Sequence, residues 1–150
     1  GNGEEVMLAA TDLLAETKVA PELSNEAHYY RAKAYLDAGK VEGAMDDLKI
    51  LAKDTRNIYG AEAKYKVAQI YFDAGQTEQA EKEVLDYIEV STPHTYWLAR
   101  SFVLLSDVYM KLGRNLDAKQ YLLSLKQNYQ ADDDIAGMIE SRLNKLNAEN

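Results

Sequence analysis

The sequence predicts an all-α protein, a right-handed superhelical α-α solenoid of helical hairpins, on three observations. Its 20 alanines and 18 leucines outnumber the 20 β-branched residues almost two to one, and proline occurs only at Pro21 and Pro93, so composition favours helix nearly everywhere. No run of alternating apolar and polar residues between turn signals argues for a strand. One motif also recurs: Tyr35-Leu36-Asp37-Ala38-Gly39, Tyr71-Phe72-Asp73-Ala74-Gly75 and Tyr109-Met110-Lys111-Leu112-Gly113, at spacings of 36 and 38 residues. A period of that size is the mark of stacked repeats.

Positions around the recurring glycine specify a hairpin. A helix ending there can pass through a left-handed conformation that carries no penalty when Cβ is missing, and a second helix starts two or three residues later. Thr77 and Asn115 are the N-caps predicted for that second helix. Seven residues before the glycine stands a small residue (Ala32, Ala68, Ser106) and five after it an alanine (Ala44, Ala80, Ala118), which let the two helices approach closely. Leu48, Val84 or Leu122 follows nine after the glycine, and Tyr35, Tyr71 and Tyr109 fill the wedge between helices as packing residues. Each hairpin keeps one apolar face that only the next hairpin can cover, so the units come in tandem.

The chain, 1–150, is read as one domain. Residues 4–20 read as the second helix of a repeat whose first helix is absent: Glu4 to Lys18 is amphipathic, with Val6, Ala10, Leu13 and Leu14 on one face, and Pro21 stops it. Upstream repeats are implied, and Gly1-Asn2-Gly3, without an initiator methionine, reads as a processed end or a cloning scar. Copy one occupies 25–57, copy two 61–93 and copy three 95–130. Residues 133–148 form a terminal capping helix, with Asp132, Asp133 and Asp134 at its start and Arg142 and Lys145 near its end, an arrangement that complements the helix macrodipole. Ile135, Met138, Ile139, Leu143 and Leu146 recur there at helical spacing.

This set of residues resembles the tetratricopeptide repeat, over roughly Asn25 to Gln130. It departs from that pattern where His28 and Lys64 replace the bulky aromatic near the start of a repeat, leaving Phe102 as the one aromatic there. The proline expected after the second helix is replaced by Arg56, Thr92 and Gln130, with Pro93 one place late. Repeats longer than 34 residues resemble the looser tetratricopeptide domains of bacterial cell-envelope assembly and scaffold proteins, and copy three resembles the tail of very large bacterial tetratricopeptide proteins. That resemblance points to the bacterial envelope, the periplasm, ahead of the cytoplasm. It also implies that the first helix of each hairpin lines a concave face. The residues so placed are Tyr29, Lys33 and Leu36 in copy one, Tyr65, Gln69 and Phe72 in copy two, and Val103, Asp107 and Met110 in copy three. Aromatic surface with polar handles suits a peptide-binding groove. The lysine and asparagine with which some such modules clamp a carboxylate tail are missing: their places hold Tyr29, Tyr65 or Val103, and Lys33, Gln69 or Asp107.

Chemistry finds little purchase. With 25 acidic and 17 basic residues the net charge is −8, which opposes binding to a nucleic-acid backbone. Zero cysteines exclude thiolate nucleophiles and cysteine metal sites, and no apolar run reaches the roughly 20 residues of a membrane span. His28 and His94 form no paired metal motif, Ser101 and Ser106 have no histidine near them in sequence, and the glycines are isolated, so no catalytic, cofactor or metal residue is assigned. Three consecutive acids point in different directions, so Asp132 to Asp134 suit helix capping better than a calcium loop. The sequence thus predicts a noncatalytic scaffold for a protein or peptide partner, the carboxy-terminal part of a larger multi-repeat protein. Alternatives are a regulatory region of an enzyme or transcription regulator encoded upstream, and a purely structural solenoid segment. The uncovered stripe Val6, Leu13 and Leu14 predicts self-association through the amino-terminal helix.

Overall fold

The computed structural model describes residues 2–15, 21–90 and 92–148. Among these it contains eight helices and no strand: α1 (Asn2–Ala15), α2 (Pro21–Asp37), α3 (Val41–Leu51), α4 (Ile58–Asp73), α5 (Thr77–Glu89), α6 (Thr95–Lys111), α7 (Asn115–Asn128) and α8 (Ile135–Ala148). The protein is all-α, of the α-α solenoid class. Two compact units, Gly1–Val67 and Ala68–Asn150, divide the chain, and the division falls within α4.

The three glycine turns are built alike. Gly39, Gly75 and Gly113 have φ of 75°, 80° and 77°, the left-handed region where a side chain would be strained. Each glycine N–H donates to the carbonyl three residues back, and the next N–H reaches five back. Gly39 donates to Leu36 and Lys40 to Tyr35 (3.0 and 2.8 Å), Gly75 to Phe72 and Gln76 to Tyr71 (3.0 and 2.9 Å), and Gly113 to Met110 and Arg114 to Tyr109 (3.1 and 2.7 Å). This Schellman pair satisfies carbonyls that the helix end would otherwise leave open. It also corrects the predicted caps. Gln76 and Arg114, not Thr77 and Asn115, occupy the N-cap positions of α5 and α7, and neither makes a side-chain cap bond. The six-residue ring of the turn brings the chain into helix one residue early, so Thr77 and Asn115 are already the first helical residues.

In unit 1, α2 packs on α1 and on α3. Ala44, Asp47, Leu48 and Leu51 form the buried stripe of α3, while α2 buries Ala27 and Ala34 on one side and Ala32 on the other. The ring of Tyr35 lies over Gly43, where an added Cβ would stand 3.1 Å from it. Pro21 opens α2, since a proline in the first helical position gives up an N–H that has no partner there and already holds a helical φ. Residues 16–20 of the predicted first helix lie outside the described residues. Between α3 and α4, Asn57 caps α4 by accepting from the N–H of Tyr59 (2.8 Å) and Gly60 (3.4 Å). Gly60 is pressed against the preceding turn: a Cβ there would stand 1.9 Å from the carbonyl oxygen of Asp54 and 2.6 Å from that of Leu51.

In unit 2, α6 packs on α5 and α7, and α8 packs on α7 and α6. The same buried stripe recurs as Ala80, Val84 and Tyr87 on α5 and as Ala118, Leu122 and Leu125 on α7. All three alanines five residues after the glycine, Ala44, Ala80 and Ala118, are completely buried. Asp133 starts α8 by accepting from the N–H of Ile135 at 2.9 Å, and Ile135, Ile139, Leu143 and Leu146 are buried beneath it.

Candidate functional site

The first-helix residues nominated as a binding face fall into three columns, ten, six and three residues before each glycine. The earliest column is largely consumed by packing. Tyr29 is half-buried, with its ring 4.6 Å from Tyr59 and its hydroxyl donating to both oxygens of Glu62 (3.3 and 3.2 Å). Burial and the carboxylate of Glu62 push its phenol up to about 12, so it stays a neutral donor. Tyr65 and Val103, in the same column, are buried. The two later columns keep more surface: Lys33 is exposed, and Leu36, Gln69, Phe72, Asp107 and Met110 are half-buried. Asp107 is bound by the Arg142 fork of α8, Nε and Nη2 donating at 2.8 and 2.9 Å, and Gln69 donates to Asp73 one turn on at 2.8 Å.

A charged cluster lies behind this face in unit 1. Asp47 is wholly buried and accepts from Arg31 Nε at Oδ2 (2.8 Å) and from Arg31 Nη2 at Oδ1 (2.6 Å), while His28 Nδ1 stands 2.7 Å from that same Oδ1. The hydrogen bonds to Asp47 raise the Arg31 guanidinium still further, and Arg31 Nη1 also donates to Thr11 of α1 at 3.2 Å. A buried carboxylate is tolerable only when it is paired and hydrogen-bonded, and this one is. Sequence reasoning noticed His28 as a departure from an aromatic but missed Asp47. The signal was available in register: in copy three the places of His28, Arg31 and Asp47 hold Phe102, Leu105 and Tyr121. Phe102 and Tyr121 are 6.1 Å apart there, and Tyr121 also stacks on Tyr109 at 5.5 Å.

Catalytic constellations do not assemble from the candidates. Ser101 and Ser106 are buried, and their hydroxyls donate to carbonyls of their own helix, Trp97 (2.9 Å) and Val103 (2.6 Å). Among the described residues no group of three or more metal-ligating side chains forms, and no helix is long and apolar enough to cross a membrane. Trp97 rests edge-on against Tyr96 at 5.0 Å, with the Arg100 guanidinium over both rings, and Tyr96 donates to Asp134 ahead of α8. These are joints within the unit.

A family model described as tetratricopeptide repeat matches residues 26–54, and a second so described matches residues 99–128. Over those two segments the chain is similar to tetratricopeptide repeats. Those two matched segments lie in copies one and three, and each includes a glycine turn with the alanine that follows it. No curated protein and no solved structure matches the chain. Tetratricopeptide repeats are in general interaction modules for other proteins and not enzymes.

Proposed function

We propose that the protein is a noncatalytic interaction scaffold that holds a peptide segment or partner helix on the first-helix face of its hairpins. The observation that carries this is the uneven use of the three columns. Positions ten before the glycine are spent on packing, yet those three before it keep apolar side chains half-exposed in every copy, Leu36, Phe72 and Met110, one turn from the polar Lys33, Gln69 and Asp107 six before it. Half-exposed apolar residues one turn from polar ones supply contact area with a means of orientation. Lys33 adds a charge that steers encounter. The alternative of a purely structural segment draws on Asp107–Arg142 and Tyr29–Glu62, which spend polar groups of the same face within the chain.

Affinity capture from the native organism tests the reading. Leu36→Ala, Phe72→Ala and Met110→Ala should each weaken binding of the captured partner by about 1 to 2 kcal/mol, while circular dichroism stays helical. Unchanged capture by the folded triple variant removes this face from the function.

A further inference from the structure

We propose a second docking surface, in unit 1, for a partner's amphipathic helix whose apolar stripe is bordered by lysine or arginine. An open groove of about 320 Å³ runs between α1 and α2, with a floor that is almost wholly apolar: Val6, Ala9, Ala10 and Leu13 from α1, and Ala27 from α2. Tyr30 and Glu26 of α2 line it as well. Tyr30 is 48% exposed, whereas Leu104, at the same place relative to its glycine in copy three, is 2% exposed. A face that is closed on α6 is therefore open on α2. Leu23, 48% exposed, stands one turn before Ala27 and extends the apolar surface.

The charges beside the groove choose the occupant. Glu5 and Asp12 lie four before and three after Ala9, so both share its column on α1, on the side away from Thr11, which α2 contacts through Arg31. Glu22 lies one turn before Glu26 on α2. All four carboxylates are exposed. Against them, the described residues of α1 and α2 hold three basic side chains: His28 and Arg31, both bound to Asp47, and Lys33, two turns beyond Glu26. The groove thus has an apolar floor between two acidic edges. An apolar stripe at helical spacing fills such a floor, and basic residues beside the stripe meet carboxylates on both sides; a helix with acidic borders is repelled.

The test uses synthetic helical peptides of roughly 18 residues, long enough to lie along α1. They share one leucine stripe and carry lysine borders, glutamate borders or a scrambled order. Fluorescence anisotropy should show the lysine-bordered peptide binding, more weakly as salt rises, and the glutamate-bordered one bound at least about tenfold less tightly. The exposed pair Glu22→Lys and Glu26→Lys should erase or invert that preference in a protein that remains folded. Leu36→Ala should leave it unchanged, which separates this surface from the first-helix face proposed above. Failure of the lysine-bordered peptide to bind overturns the proposal, as does equal binding of both bordered peptides. Sedimentation of the chain alone provides a further arm: a dimer abolished by Val6→Asp would make a second copy the occupant and overturn the choice of a basic partner.

Discussion

At the scale of single residues, glycine does two different jobs in this chain. Gly75 is needed for its backbone: φ is 80° and an added Cβ would meet nothing within 4 Å. Gly60 is needed for its missing side chain, since a Cβ would collide with two backbone carbonyls. Gly75→Ala should therefore cost about 1 to 2 kcal/mol, the strain of a left-handed alanine. Gly60→Ala should cost about 3 kcal/mol, because α4 must shift away from the turn at Asp54. Thermal melts of the two variants check the order, and equal losses would show that the turn yields freely. The sequence displays the first role and conceals the second. Gly39, Gly75 and Gly113 recur in register and so identify themselves, whereas Gly60 acts through a close approach to the turn after α3 that no local pattern encodes.

At the scale of the element, one hairpin design accepts two interiors. Copy one ties α2 to α3 with a buried carboxylate held by Arg31 and His28; copy three fills the corresponding places with Phe102, Leu105 and Tyr121. Breaking the charged set is costly, while replacing it whole is not. Asp47→Ala should destabilise by about 3 kcal/mol, since it strands Arg31 and His28. The triple change His28→Phe, Arg31→Leu and Asp47→Tyr, which transplants the interior of copy three, should recover most of that loss, so the substitutions should be strongly non-additive in denaturant melts. If the triple variant equals the sum of its parts, the three residues do not act as a unit. The hairpins themselves were legible because helical spacing and turn glycine agree. Asp47 was not, since a lone aspartate in an amphipathic helix reads as solvent-facing until its partners sixteen and nineteen residues away are in place. Thr77 and Asn115 misled for a related reason: their types suit an N-cap, but the preceding turn fixes where the helix begins. For the nominated face, position along the helix follows from the glycine in the sequence, while the burial of Tyr65 and Val103 depends on packing between helices.

At the scale of the whole molecule, what is constant and what varies are sharply separated. From the small residue before each glycine to the buried residue twelve after it, the three copies keep step: Ala32 to Leu51, Ala68 to Tyr87 and Ser106 to Leu125. The two extra residues that lengthen the second interval, from 36 to 38, fall between Tyr87 and Ser101. A Gly-Ser insertion between Thr92 and Pro93 should thus cost less than about 1 kcal/mol, the order of a loop-closure change. The same insertion between Gly75 and Gln76 should cost several times more, because it breaks the ring from Gln76 to the Tyr71 carbonyl. Melting temperatures distinguish the two, and comparable losses would mean that the connector is as constrained as the turn. The tight glycine turn has a further consequence for how such a chain can change over generations. Because each turn completes its own bonds within a few residues, in-frame duplication or exchange with breakpoints between hairpins hands on an intact turn, whereas one with breakpoints inside a turn interrupts it. Heritable growth of this architecture should therefore proceed by whole hairpins.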